Sequence, residues 1–321
     1  MHWKRLPHLF DRTRWRNCRT LFDRPLRAFF DLSFVRRGLV SVSLKGGERS
    51  SFSRSGRDHR FWDWFLQRPV PLSFTGDGCL QIEYDGSTLS LRPGTTDFVV
   101  FEEVFLQDEY GVRNSTRTFE TVIDLGANVG MFTCAMLPRA RRVISVEAVA
   151  ENHRQAVRNV TANRGREDDV LHCAVAARSG ESIRIYRNPR NTGGHSTAPE
   201  WIRRSAAETA EPDFESVETI SLADLFEARR LAFVDFLKCD IEGAEYGLFL
   251  NTPADVLARI GEIAMEVHVS PAHPPHLLYD LVARLRAAGF DLQLPREVHR
   301  TVRIDSFVIT ARNRLAAWRA A

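Results

Sequence analysis

From Phe119 onward, short apolar runs alternate with segments of helical spacing. TVIDLG is an apolar run closed by glycine, and 131–138 starts a helix. RRVISVEA is a second strand, 150–163 carries a helical repeat, and DVLHCAVA is a third strand. AFVDFLKC, EIAMEVHV, FDLQL and DSFVITARN continue the series. Val-, Ile- and Phe-rich runs that are apolar on both faces, joined by helices, predict an α/β unit. Its mostly parallel sheet would be covered on both sides. No helical segment separates the last two runs, so they are expected to pair antiparallel at the sheet edge. Residues 187–216 break the rhythm and are expected to be a long non-regular loop that covers a site.

The first third reads differently. Residues 1–37 place Trp3, Phe10, Trp15, Leu21, Phe22, Phe29, Phe30 and Phe34 at roughly helical spacing, with arginines between them. A helical hairpin with a solvated basic face is preferred over a helix lying on a lipid surface. VSVSL near Val42 is a strand, Ser50 to Arg60 a loop, and CLQIEYDGSTLSL a hairpin turning at Asp85-Gly86. Residues 1–90 therefore form a small helical and β accessory region.

Composition narrows the class without naming a chemistry. Of 321 residues, 26% are charged and 44% hydrophobic, and the formal net charge is +3. These are values of a soluble globular chain and give no case for nucleic acid. The charge is uneven: up to Arg37 there are ten Lys/Arg against Asp11, Asp23 and Asp31. The five cysteines are scattered without a CxxC pair, which argues against a disulfide framework or a zinc site and for a reducing cytoplasm. Arginines interrupt the N-terminal apolar residues, so no signal peptide is expected. No apolar run reaches the ~20 residues of a membrane span. The sequons at Asn114 and Asn159 are read as chance matches.

The chemistry begins at the end of the first α/β strand, where Asp124 precedes Gly126, Asn128 and Gly130. The glycines allow a sharp turn and a close ligand approach. The following helix would offer N–H groups to an anion. Glu147 ends the next strand, 17 positions beyond Gly130. That is near the ~20 expected for an acid that binds ribose hydroxyls. A dinucleotide is the competing ligand, but its G-x-G-x-x-G turn has glycine where Asn128 stands here. An acid before the turn also repels pyrophosphate and suits an ammonium group. The pair points to an adenosyl cofactor.

VIDLGANVGMFT, VISVEAVAENHRQAVRNV, LKCDIEGAEYGLF and AMEVH, in that order, resemble the FkbM family of methyltransferases. RPGTTDFVVFEEVFLQDEYG resembles the segment leading into that family's domain, so the likeness spans about residues 91–312. The resemblance implies a Rossmann-like, seven-stranded, mostly parallel sheet with an antiparallel edge strand, occupying 91–321. It implies S-adenosylmethionine as cofactor and methyl transfer to a hydroxyl of a sugar, a glycan, a lipid-linked glycan or a natural product. By matching motifs, Asp124, Gly126, Ala127, Asn128 and Gly130 would cradle the methionine moiety and Glu147 would bind the ribose. Cys173 and Ala174 would lie beside the adenine, and Asp240 beside the methyl group.

A hydroxyl acceptor needs a base within hydrogen-bond reach. The candidates are Asp240, Glu242, Glu245, Glu266 and His268. His268 is preferred because an unperturbed imidazole titrates near neutrality. Glu242 and Glu245 open a helix and could serve only its dipole. Glu266 and His268 share one face of a strand and either pair or face the pocket. Asp240, Glu242 and His268 could hold a divalent cation, but the spacing does not demand it and no metal is expected. His195 in the long loop is a second candidate for substrate contact. The basic residues, with Arg187, Arg190, Arg203 and Arg204, suggest an acidic or lipid-linked acceptor and a membrane-peripheral location. Asp240-Ile241-Glu242-Gly243 stands where many N-methyltransferases carry Asn/Asp-Pro-Pro-aromatic, which disfavours a nitrogen acceptor. A non-catalytic binding module is the remaining alternative.

Overall fold

The computed structural model describes residues 11–34, 39–43, 45, 49–53, 64–68, 71–113, 115–189, 191–206, 212–269, 275–293, 299–300 and 305–314. The chain divides into two compact units, Met1–Val100 and Phe101–Ala321, ten residues later than the boundary read from the sequence.

In the first unit, helix Arg12–Leu21 starts at Asp11, whose side chain accepts the Arg14 N–H at 3.0 Å. An acidic N-cap of this kind satisfies a donor that the helix cannot. Helix Pro25–Phe34 follows, and Phe29 stacks on Trp15 at 4.1 Å, giving the expected helical hairpin. Strands β1 (Leu39–Ser43) and β2 (Arg49–Ser53) pair antiparallel. Ser50 to Ser53 is thus strand rather than loop, because the β1 backbone offers a partner that polar side chains do not advertise; 54–60 lies outside the described residues. β3 (Leu72–Phe74), β4 (Leu80–Tyr84) and β5 (Ser87–Leu91) form a meander. Asp85 and Gly86 both have positive φ (51° and 77°), as the tight turn between β4 and β5 requires.

The second unit is built on one large sheet. Its strands are β6 (Phe119–Leu125), β7 (Ala140–Glu147), β8 (Val170–His172), β12 (Val234–Cys239), β13 (Ile260–Val269), β14 (Phe290–Gln293) and β16 (Asp305–Asn313), in the order β14-β16-β13-β12-β6-β7-β8. β8, β7, β6, β12 and β13 run parallel, and β16 is antiparallel to both of its neighbours. The antiparallel strand is inserted between β13 and β14, one place in from the edge. The two-residue strand β15 (His299–Arg300) also pairs β16. The neighbouring pairs Val122 and Ile123, Val143 and Ile144, Phe236 and Leu237, and Ala264 and Met265 are all buried at its centre. Buried apolar side chains on successive positions are what a sheet covered on both faces needs.

The chain leaves β6 toward β7 and β8, then returns to the opposite side of β6 as β12. In open α/β sheets ligands bind beyond the carboxyl ends of the strands at such a switch point. DVLHCAVA does not stay in the sheet. It breaks at Cys173, and β9 (Ala174–Val175) pairs with β11 (Phe214–Ile220), which also pairs with β10 (Ser182–Tyr186). Residues 187–216 are accordingly not a plain loop. They contain a bridge between Tyr186 and Ser196, the helix Pro199–Ala206 and the start of β11. Ile183-Arg184-Ile185 in ESIRIY alternates apolar and polar positions, the signature of a half-buried strand, whereas FESVETI has its apolar residues three apart and shows no such period.

Candidate active site

At the carboxyl end of β6 the chain turns through Gly126 (φ 75°), Asn128 (φ 52°) and Gly130 (φ 77°). Gly126 has no room for a side chain, since a Cβ there would lie 1.7 Å from the Asp240 carbonyl oxygen. Helix Ala150–Ala162 packs on the turn, and the Asn159 amide donates to the Val129 carbonyl at 2.7 Å. Fully buried and so engaged, Asn159 is no glycan acceptor in the fold. The following helix, Met131–Met136, is only six residues long. The turn's N–H groups are used internally: Gly126 and Ala127 donate to Val146 O, Asn128 to Glu147 and Gly130 to Ala127 O.

Glu147 lies at the end of β7 with its two oxygens each holding one backbone N–H, Asn128 on Oε2 and Val149 on Oε1, both at 2.8 Å. Burial pushes its pKa up to about 7, against the pull of those two bonds. Each carboxylate oxygen retains a second acceptor site, enough for two neighbouring hydroxyls.

A cavity of about 820 Å³ opens here. Gly126, Asn128, Glu147, Cys173, Ala174, Asp240 and Glu242 line it, together with His195 and Tyr186. Asp124, Ala127, Gly130, Glu245, Glu266 and His268 do not reach its wall. Asp124 is fully buried instead: Thr133 donates to its Oδ2 at 2.6 Å, and the Lys238 ammonium lies 3.3 Å from its Oδ1. The carboxylate read as part of the cradle is thus directed at protein groups, because a buried charge takes the nearest compensating partner. Thr133 is in turn bonded to Ser145 at 2.7 Å.

Lys238 went unnoticed in the sequence. It donates to Gly126 O at 2.7 Å, and its ammonium is 3.9 Å from Asp240 Oδ2. Burial opposes its charge, but Asp124 and Asp240 raise its pKa above the usual lysine value. The signal was present: a lysine inside the apolar run FLKC must be paired. Tyr110 was also missed; its hydroxyl donates to Asp240 Oδ2 at 3.3 Å.

Beyond Asp240 the site is rich in carboxylates. Burial raises the pKa of Glu103 to about 9 and of Glu109 to about 7, each helped by neighbouring acids. Burial likewise lifts Glu242 well above the ordinary range, with His268 opposing. His268 is itself 4% exposed. Its Nδ1 is 3.2 Å from Glu245 Oε1, and its Nε2 faces Glu242 Oε2 at 3.6 Å and Glu266 Oε1 at 3.8 Å. Burial works against the imidazolium, yet Glu242 and Glu245 outweigh it and hold the pKa well above the usual histidine value. This reverses the reason for choosing His268 as base. The higher the pKa of the imidazole, the smaller the fraction free to accept a proton near neutral pH.

Among the described residues, Asp240, Glu266 and His268 have ligand atoms within 4.8 Å of one another, a spacing a cation could use. The trio differs from the expected Asp240, Glu242 and His268 by one carboxylate. His195 accepts the Asn188 N–H on Nδ1 at 2.9 Å, so the proton of its neutral ring sits on Nε2.

The strand order with its inserted antiparallel strand, the glycine turn and the acid ending β7 define an S-adenosylmethionine-dependent methyltransferase. The glycine approach at Gly126, the acceptor capacity of Glu147 and the cavity between them fit that cofactor. The chain belongs to the FkbM methyltransferase family: the Methyltransferase FkbM domain matches residues 124–292, just over half of the 321. No curated protein matches the chain in sequence. Among solved structures, it is similar to methyltransferase FkbM from Methylobacillus flagellatus KT, at 15% identity over 66% of this chain and 47% of that one, TM-score 0.41. The N-terminal domain of EvdMO1, solved in the presence of SAH and D-fucose, shows 15% identity over 73% and 90%, TM-score 0.36. TYW2 of M. jannaschii in complex with AdoMet shows 10% identity over 73% and 84%, TM-score 0.40. These likenesses are distant, and the family assignment rests on the sequence match. No described helix is long and apolar enough to cross a membrane.

Proposed function

We propose that this methyltransferase acts on a hydroxyl of a neutral polyhydroxyl acceptor, of the sugar or glycan class. The observation that carries this is the pair Asp240 and Glu242 on the cavity wall, backed by Glu103, Glu109 and Glu266. Carboxyl groups hydrogen-bond hydroxyls in either protonation state, which suits a neutral polyhydroxyl ligand. S-adenosylmethionine supplies the methyl group; Gly126, Asn128 and Glu147 would hold it, with Cys173 and Ala174 alongside. Asp240, tied to Lys238 and Tyr110, orients the acceptor oxygen. Glu242 faces His268 at 3.6 Å, and an imidazolium there works against burial to favour the ionised carboxylate. In that form Glu242 would take the hydroxyl proton as the methyl–oxygen bond forms and the methyl–sulfur bond breaks. The earlier expectation of an acidic acceptor loses support here. Arg187 is occupied by Asp213 and Glu215, both at 3.4 Å, and Arg190 and the Arg204 side chain lie outside the described residues. The test is methyl transfer from labelled S-adenosylmethionine to neutral sugars, uronic acids and amines in parallel. Transfer to neutral hydroxyls, abolished by Glu242→Gln, is expected; transfer only to acids or amines overturns the reading.

A second reading concerns the first unit. Leu26 and Phe30 are exposed one turn apart on helix Pro25–Phe34, where Arg27 pairs with Asp31 at 3.4 Å, and the arginines of the preceding helix Arg12–Leu21 supply the positive charge. This supports peripheral contact with an anionic lipid surface. Co-sedimentation with phosphatidylserine vesicles should be lost in Leu26→Ser/Phe30→Ser; equal sedimentation of both forms would rule it out.

A further inference from the structure

Glu245 is completely buried and is not on the wall of the cavity, yet its Oε1 meets three donors. Ile241 N–H reaches it at 3.1 Å, Gly243 N–H at 3.2 Å and His268 Nδ1 at 3.2 Å. The two amides flank Glu242, whose own backbone is left-handed at φ 52°. A side chain with a Cβ avoids that conformation unless its surroundings impose it. The imposition comes from several directions. Glu245 holds the N–H on either side, and Ser196 Oγ donates to the Glu242 carbonyl at 3.1 Å. The second ring nitrogen of His268 faces the Glu242 carboxylate at 3.6 Å. An ionised acceptor bonded to two backbone amides and an imidazole is far stiffer than a neutral contact.

We infer that Glu245 and His268 form a positioning pair. Glu245 fixes the backbone of the turn at Glu242, and His268, oriented by Glu245, fixes the Glu242 carboxylate on the cavity wall. The pair touches neither cofactor nor acceptor. It acts by removing the freedom of a strained residue that must meet the acceptor in one geometry. This explains why a fully buried acid stands three residues after Glu242 and faces away from the cavity. The inference rests on Glu242 being the acceptor-side carboxylate.

The test compares the full chain with Glu245→Gln, His268→Asn and the double variant. Amide hydrogen exchange at Ile241 and Gly243 should quicken at least tenfold in Glu245→Gln, with the amides of β6 unchanged. With a neutral sugar acceptor, kcat should fall at least tenfold while KM for S-adenosylmethionine stays within threefold. The double variant should be no slower than the slower single variant, because residues acting as one unit are not additive. Unchanged exchange, or losses that multiply in the double variant, would overturn the pair. Exchange needs no acceptor, so it decides the matter even where no transfer is found. A parent chain that binds S-adenosylhomocysteine but methylates no hydroxyl would instead count against the proposed function alone.

Discussion

Lys238 and Asp124 are register partners on the adjacent parallel strands β12 and β6, and their charged groups meet at 3.3 Å with both side chains buried. The same ammonium donates to Gly126 O and lies near Asp240. One lysine therefore ties the glycine turn after β6 to the loop after β12 through buried charge.

Removing that lysine alone should be severe. Lys238→Met strands Asp124 in the interior, and breaking a buried pair costs about 3–5 kcal/mol. Adding Asp124→Asn removes the stranded charge and should recover a large part of the loss. Urea unfolding of the two single variants and the double variant measures this; strictly additive losses would mean that the two groups do not act as a pair.

Gly126→Ala should fail for two reasons. Its φ of 75° is unfavourable for any side chain, and the new Cβ would strike the Asp240 carbonyl at 1.7 Å. The backbone penalty alone is about 1–2 kcal/mol. The expected result is a lowered melting temperature and at least tenfold weaker binding of S-adenosylhomocysteine by calorimetry.

Glu147→Ala removes the acceptor of two backbone N–H groups along with the proposed ribose contacts. Hydrogen bonds to a charged group are worth about 1.5–3 kcal/mol each, so two lost contacts correspond to roughly a hundredfold or more in Kd. Glu147→Gln, which keeps one oxygen, should fall between that variant and the parent. Affinity unchanged in both would remove Glu147 from the site.

The unliganded chain should lose stability as pH rises from about 5 to 9. Glu103 moves from 4.5 to about 9, and Glu109 and Glu147 from 4.5 to about 7. His268 is also raised above 6.5. In each case the folded state binds more protons than the unfolded one between the two values. The contribution is therefore present at the lower pH and lost as pH passes through the folded value. Glu245, whose pKa is lowered, works in the opposite sense only in the acid range below 4.5. Thermal melts across this range test the sign; a profile that rises toward pH 9 contradicts it.

The glycine turn and Glu147 were legible because local geometry fixes them: a turn needing positive φ, and an acid at the next strand's end. The hairpin at Asp85-Gly86 was legible for the same reason. The strands β10 and β11, on either side of a stretch rich in Arg, Asn and Gly, were overlooked: β10 shows alternation only over Ile183 to Ile185, and β11 has its apolar residues three apart. Asp124 and His268 were read by residue type, and type misled. One is buried against Lys238, and the other is buried between Glu242 and Glu245, whose charges raise its pKa.

The class of sheet, the glycine turn, the acid that follows it and the family were all readable from the amino-acid order, since each depends on neighbours within a few tens of residues. Only the tertiary structure decided which charges pair, which carboxylates face the cavity and which histidine nitrogen carries a proton. Those depend on burial and on distances across strands. Tyr110 meets Asp240 across 130 positions of chain, and no local pattern encodes that contact.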